Sequence, residues 1–219
     1  MRITSKSFMN NKAIPAEFAF CMPDPAKHIT LSKNVNPHLQ WQDAPPNAKS
    51  LVLICHDPDV PSKPDDVNKE GHTVSAQLPR VDFFHWILVD LPASTIQIRP
   101  GEFSSGVTPK GKSGPESQNG TRQGLNDYTT WFAGNKDMGG NYFGYDGPCP
   151  PWNDEIPHRY IFTIYAVDFP RCPVAGTFKG PEVLAALKGH IIAQAQITGL
   201  YSLNPNVKAE AAPAVAHAR

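Results

Sequence analysis

The chain has 219 residues, long enough to bury a sizeable core within one domain. Its 20 Lys and Arg balance 20 Asp and Glu to a formal charge of zero. That excludes a broad electrostatic pull toward nucleic acid or an anionic membrane and leaves any anion to a local site. The 23 Pro and 16 Gly exclude a helical bundle, while a hydrophobic share of 40% excludes disorder, so a loop-rich β protein is expected.

Taken in order, residues 1–8 hold no continuous apolar stretch, and no uncharged apolar run in the chain is long enough to cross a bilayer. A cytoplasmic protein without membrane insertion is the expectation. The first segment ends at Asn36-Pro37-His38-Leu39-Gln40-Trp41, and Asp43-Ala44-Pro45-Pro46-Asn47 has turn chemistry. Residues 51–55 read as a buried strand stopped by Pro58 and Pro61, and residues 62–80 as a polar surface loop. The chain re-enters the core at residues 83–89 and leaves it at Leu91-Pro92. Residues 103–138 form a long stretch rich in Gly, Ser, Asn and Thr, anchored by Tyr128, Trp131 and Phe132, of a length that covers or frames a site. Residues 159–167 are apolar on both faces, as in a strand enclosed between layers. Gly180-Pro181-Glu182 opens a short helix, with Leu184, Leu187 and Ile191 at helical spacing broken by Gly189, and residues 195–203 supply a last strand. One domain over residues 1–204 and a flexible tail over 205–219 complete the reading. Cys21, Cys55, Cys149 and Cys172 form no C-x-x-C pair, so zinc-knuckle and redox motifs are absent. Cys55 is expected as a buried thiol, and disulfides are not expected in a reducing compartment.

Strand alternation puts His158 and Tyr160 on one face and Arg159 on the other. By the same parity Asp57 continues the face of Leu53 and Cys55, and His85 that of Ile87 and Val89, if the strands carry no bulge. Where these faces meet, a carboxylate, two imidazoles and a phenol make a polar cup suited to a phosphate or carboxylate. Asp57 would hold one imidazole charged, while the second imidazole and Tyr160 supply further donors. Pro148, Pro150 and Pro151 stiffen the approach loop, and the N–H groups of Gly147 and Cys149 are available to an anion. Asp59 and Arg159 are expected as an ion pair bracing two loops, and Trp41, Trp86 and Phe162 as core or pocket wall. Taken singly, Asp57 reads as a turn residue and His85 as a satisfied core group; the site rests on their convergence. Asp57, His85 and His158 could form a two-His, one-carboxylate metal triad, but no short-range ligand spacing supports it, and no metal or cofactor is expected. The same residues could serve acid–base hydrolysis, the alternative function, although the chain has no G-x-S-x-G elbow, glycine-rich phosphate loop or H-E-x-x-H helix.

These segments resemble the phosphatidylethanolamine-binding protein family in its bacterial, Raf kinase inhibitor-like branch. The resemblance is carried by Asp57-Pro58-Asp59-Val60-Pro61, His85-Trp86-Ile87-Leu88-Val89-Asp90-Leu91-Pro92, and Gly144-Tyr145-Asp146-Gly147-Pro148-Cys149-Pro150-Pro151 leading to His158-Arg159-Tyr160-Ile161-Phe162. Residues 36–41 and Ile197-Thr198-Gly199-Leu200-Tyr201-Ser202 also fit, in the right order over most of residues 1–203. It implies a two-sheet Greek-key β-sandwich with one or two short helices. It also implies a small pocket for phosphate, acetate or a phosphorylated head group, lined by Asp57, His85, His158 and Tyr160 and rimmed by residues 147–151, including Pro151. A non-catalytic regulator of a kinase or protease, and a homodimer by analogy with bacterial relatives, follow from the same resemblance. The chain departs from the pattern in its longer 62–80 and 103–138 loops, in Asn153 or Asp154 where a Gly commonly follows the paired prolines, and in lacking a counterpart to the C-terminal helix that closes the pocket of mammalian members.

Overall fold

A computed structural model describes residues 1–209. In chain order the strands are β1 (Arg2–Thr4), β2 (Lys12–Ala13), β3 (Cys21–Asp24), β4 (His28–Leu31), β5 (Leu39–Gln42), β6 (Ser50–Pro61), β7 (Arg80–Pro92), β8 (Gln97–Ile98), β9 (Gly111–Lys112), β10 (Arg122–Gln123), β11 (Asn141–Tyr142), β12 (His158–Val167) and β13 (Ile191–Tyr201). Two short α-helices, α1 (Tyr128–Trp131) and α2 (Gly180–Leu187), complete the fold. The main layer is a six-stranded sheet in the order β10-β7-β6-β12-β13-β2, faced by a three-stranded sheet β1-β5-β8. The small pairs β3–β4 and β9–β11 lie outside these two layers.

Side-chain alternation explains the layering. On one face of the main sheet Leu51, Leu53, Cys55, Phe162 and Ile164 pack with Leu39 and Trp41 of the smaller sheet. On the other face Val52, Ile54, Ile87 and Val89 pack under Val183 and Leu187 of α2. The helix begins where expected, with the Glu182 carboxylate accepting the Lys179 N–H at 2.6 Å. It stops at Leu187, Gly189 turns the chain at φ +82°, and Ile191 opens β13 instead of extending the helix.

Two expected boundaries are corrected. Pro58 does not stop β6, because pairing with β12 already ends at His56 and the register against β7 shifts between Asp57 and Val60, so this proline sits where the ladder is interrupted; the strand ends at Pro61, as expected. Residues 103–138 are not one loop. Within them β10 pairs with β7 as an edge of the main sheet, and α1 places Tyr128 and Trp131 beside the site. Residues 205–209 follow the last strand without regular structure, and the rest of the tail predicted from the sequence lies outside the described residues.

Candidate functional site

The site forms where two central strands part. Pairing between β12 and β6 ends at Ile161 opposite His56, and beyond that point carboxylates replace the backbone ladder. Asp59 accepts the Arg159 N–H and Nε–H at 2.9 Å each through Oδ2, and Arg159 Nη2 at 2.7 Å through Oδ1. The expected ion pair is thus present, bracing two strands rather than two loops. Next to it on the inner side, His158 donates from Nδ1 to Asp57 at 2.7 Å.

Asp57, His85, His158 and Tyr160 converge on one cavity of about 230 Å³. Asp57, His158 and Tyr160 arrive by the expected strand parity. His85 arrives differently. Cys55 pairs with Trp86 while His56 pairs with Phe84, leaving His85 as the extra residue of a β-bulge. The bulge turns His85 away from the α2-side face of Ile87 and Val89 and into the cavity, correcting the unbulged parity. Trp86, its neighbour, is fully buried and donates its indole N–H to Gln123 at 2.9 Å.

The two imidazoles carry opposite roles. His158 lies between two carboxylates, with Nδ1 on Asp57 and Nε2 on Asp154 at 3.1 Å. Asp154 is in turn held by Arg80 at 2.6 and 3.0 Å. Burial opposes charge on His158, but Asp57 and Asp154 outweigh it and raise the pKa to about 9. His158 is therefore an imidazolium with both N–H groups already committed, and it has no lone pair for a metal. For His85, burial dominates the opposing pull of Asp57 and lowers the pKa to about 4. Its Nδ1–H donates to the Asp146 carbonyl at 2.7 Å, so the neutral ring presents Nε2 to the cavity as an acceptor. This corrects the expectation that the second imidazole is a donor.

Asp146 is fixed in turn. Its carboxylate accepts from Asn34 at 2.7 Å and Asn126 at 2.8 Å and pairs with Lys112 at 3.0 Å. Around His85, Tyr128 and Tyr160 pack edge-on at centroid distances of 5.6 and 5.0 Å. The Tyr160 hydroxyl makes no hydrogen bond with the described residues, which leaves it for a ligand.

Cys149, Pro150 and Pro151 line the cavity as the rim. Gly147 does not, because its N–H donates to Asn34 at 2.8 Å and its carbonyl accepts from Tyr128 at 2.8 Å. A Cβ at Gly147 would run into the Phe18 carbonyl, so close backbone approach explains this glycine and anion contact does not. The Cys149 N–H has no acceptor among the described residues. Against the expectation of no disulfides, Cys149 is disulfide-bonded to Cys21 across 128 positions, tying the rim to β3. Cys55 is the buried free thiol expected.

Residues 62–79 wall the cavity with Pro64, Val67 and Asn68, instead of simply lying on the surface. Asn153 organises this wall, donating to the carbonyls of Asp66 and His72 at 2.8 and 3.0 Å and accepting the Asn68 N–H at 3.0 Å. Trp131, 52% exposed, carries the cavity to the surface. Sequence reasoning did not assign Arg80, Asp146, Asn153 or Asp154 to the site. Only Asn153 and Asp154 left a signal, as a polar pair after the rim prolines where a glycine is usual.

The model of the family described as phosphatidylethanolamine-binding protein matches residues 4–202. A UPF0098 protein of Methanothermobacter thermautotrophicus is 31% identical over 177 residues, covering 81% of this chain and 89% of the relative. The UPF0098 protein YbhB of Escherichia coli is 32% identical over 169 residues, covering 77% and 82%. Among solved structures, a putative phosphatidylethanolamine-binding protein homolog from Chlamydia trachomatis superposes with a TM-score of 0.61 at 27% identity, covering 92% of this chain and 96% of that one. Escherichia coli YbcL shares the fold at a TM-score of 0.64 and 24% identity, with coverage of 92% and 97%. By sequence and by architecture, the chain belongs to the phosphatidylethanolamine-binding protein family.

Proposed function

We propose that the chain is a non-catalytic binding protein whose cavity takes phosphate or the phosphorylated head group of a small molecule, and that occupancy modulates a protein partner such as a kinase or protease. The observation that carries this reading is the meeting of Asp57, His85, His158 and Tyr160 at a cavity that reaches the surface beside Trp131. Donors for an anion come from the Tyr160 hydroxyl and the Cys149 N–H, while the charged pairs behind them keep the walls rigid. Hydrolysis through Asp57, His85 and His158 fits less well, since neither nitrogen of His158 is free to move a proton.

Titration with inorganic phosphate or phosphoethanolamine, followed by imidazole NMR, tests the reading. The His85 ring signals are expected to move and those of His158 to stay nearly fixed. Unmoved His85 signals at millimolar ligand refute anion binding. Turnover of a phosphoester panel that His85→Ala abolishes would replace the reading with hydrolysis. No described helix is long and apolar enough to cross a membrane. The Cys21–Cys149 bond favours an oxidising compartment over the reducing cytoplasm expected from the sequence, and a thiol count on protein isolated from its native cells distinguishes the two.

A further inference from the structure

The buried polar groups that line the cavity are mostly acceptors; two further donors, the Asn68 amide and the Trp131 indole N–H, sit on its exposed wall. Asp57 accepts the Asp59 N–H at 2.8 Å through Oδ1 and His158 through Oδ2, and each oxygen keeps a second lone pair. His85 Nε2 is an acceptor because Nδ1–H is spent on the Asp146 carbonyl. Tyr128 gives its hydroxyl proton to the Gly147 carbonyl and so adds no donor. The cations near the floor are each committed: His158 to two carboxylates, Arg80 to Asp154 and the Asp59 carbonyl, and Lys112 to Asp146. A bare oxyanion seated among these buried groups would meet a carboxylate and an imidazole lone pair, with the Tyr160 hydroxyl and Cys149 N–H to receive it and the Asn68 amide and Trp131 indole out on the exposed wall. An unmatched acceptor pair of this kind costs far more than a matched one gains.

We propose that the cavity selects oxyanions that carry a proton, with Asp57 and His85 Nε2 accepting hydrogen bonds from the ligand's O–H while Tyr160 and the Cys149 N–H donate to its unprotonated oxygens. The ligand class is then a phosphate or phosphomonoester in its protonated form, and Asp57 with His85 determine the specificity. The inference deepens the anion-binding reading and rests on it. Burial supports it by keeping His85 neutral at ordinary pH. The titratable or charged groups facing that ring are Asp57 and His56 of β6, His158 and Tyr160 of β12, Tyr128 of α1, and Asp146 of the rim with Lys112 of β9 behind it.

The test compares inorganic phosphate, arsenate and sulfate by calorimetry near neutral pH on the full chain. The three ions are similar in shape, but phosphate and arsenate retain O–H groups there and sulfate has none. Phosphate and arsenate are expected to bind about tenfold or more tighter than sulfate. Their affinity should fall as pH rises through the anion's own second ionisation. In Asp57→Asn, where an amide can donate, sulfate should gain until it lies within about threefold of phosphate. Because that variant disturbs His158, the arsenate and sulfate pair on the unaltered chain decides the matter alone. Sulfate binding as well as phosphate, or phosphate affinity rising with pH, overturns the inference and leaves the anion reading standing. No binding of any of the three ions removes both.

Discussion

Loss of the charge on His158 should cost the fold a measurable share of its stability. Its folded-state pKa is about 9 against an ordinary value of 6.5, so the charged ring is favoured by roughly 3 kcal/mol in the native state. The folded value is the higher one, so the contribution is complete below the ordinary value and disappears as pH rises through about 9. Urea unfolding from about pH 6 to about pH 10 should therefore show a loss that His158→Gln does not show, the difference between the two curves approaching roughly 3 kcal/mol. Asp154→Asn should shift this window downward, since it removes one of two carboxylates on the ring, and should also destabilise the fold by leaving Arg80 without its charged partner. Imidazole NMR gives the titration directly. A His158 signal that titrates near 6.5, or parallel stability curves for wild type and His158→Gln, would refute the clamped-imidazolium assignment.

Tyr160→Phe removes only a hydroxyl without a partner among the described residues, so stability should change by less than about 0.5 kcal/mol while phosphate affinity falls roughly 10- to 100-fold. Affinity unchanged in a folded Tyr160→Phe protein would exclude that hydroxyl as a ligand donor. Replacing Cys21 and Cys149 together with Ser should cost roughly 2–5 kcal/mol in urea unfolding, given the 128 positions they span, and reductant should then have no further effect. Asn153→Ala removes the bonds that shape residues 66–72, so amide exchange there should quicken while exchange in β12 stays slow.

Much of this site was readable in the chain because strand parity is a rigid rule. His158 and Tyr160 two positions apart, and Asp57 two after Cys55, could only share a face if their strands were regular, and on that stretch they are. His85 was found for its residue type and not for its geometry, since a bulge is set by cross-strand register and leaves no local mark in Phe83-Phe84-His85-Trp86. The same limit explains β6. Pro58 looks like a terminator until the pairing on both sides is known to be interrupted beside it, and the strand runs on to Pro61. Arg80 and Asp146 were illegible as site residues because each acts through a partner from another part of the chain, and a sequence shows charges without showing which ones meet. The Cys21–Cys149 pairing was hidden for the same reason, the two thiols lying 128 positions apart. Of the rim that the resemblance implied, Cys149, Pro150 and Pro151 line the cavity, whereas Gly147 has its N–H occupied by Asn34, a contact no motif could show.

A crystal grown in phosphate gives the most direct view of whether this cup is a binding site. Tetrahedral density within hydrogen-bond reach of Tyr160 Oη, His85 Nε2 and Asp57, with His158 still bonded to Asp57 and Asp154, is the predicted result. An empty cavity in a crystal that holds phosphate elsewhere, or His158 leaving its two carboxylates to meet the ion, would contradict the account.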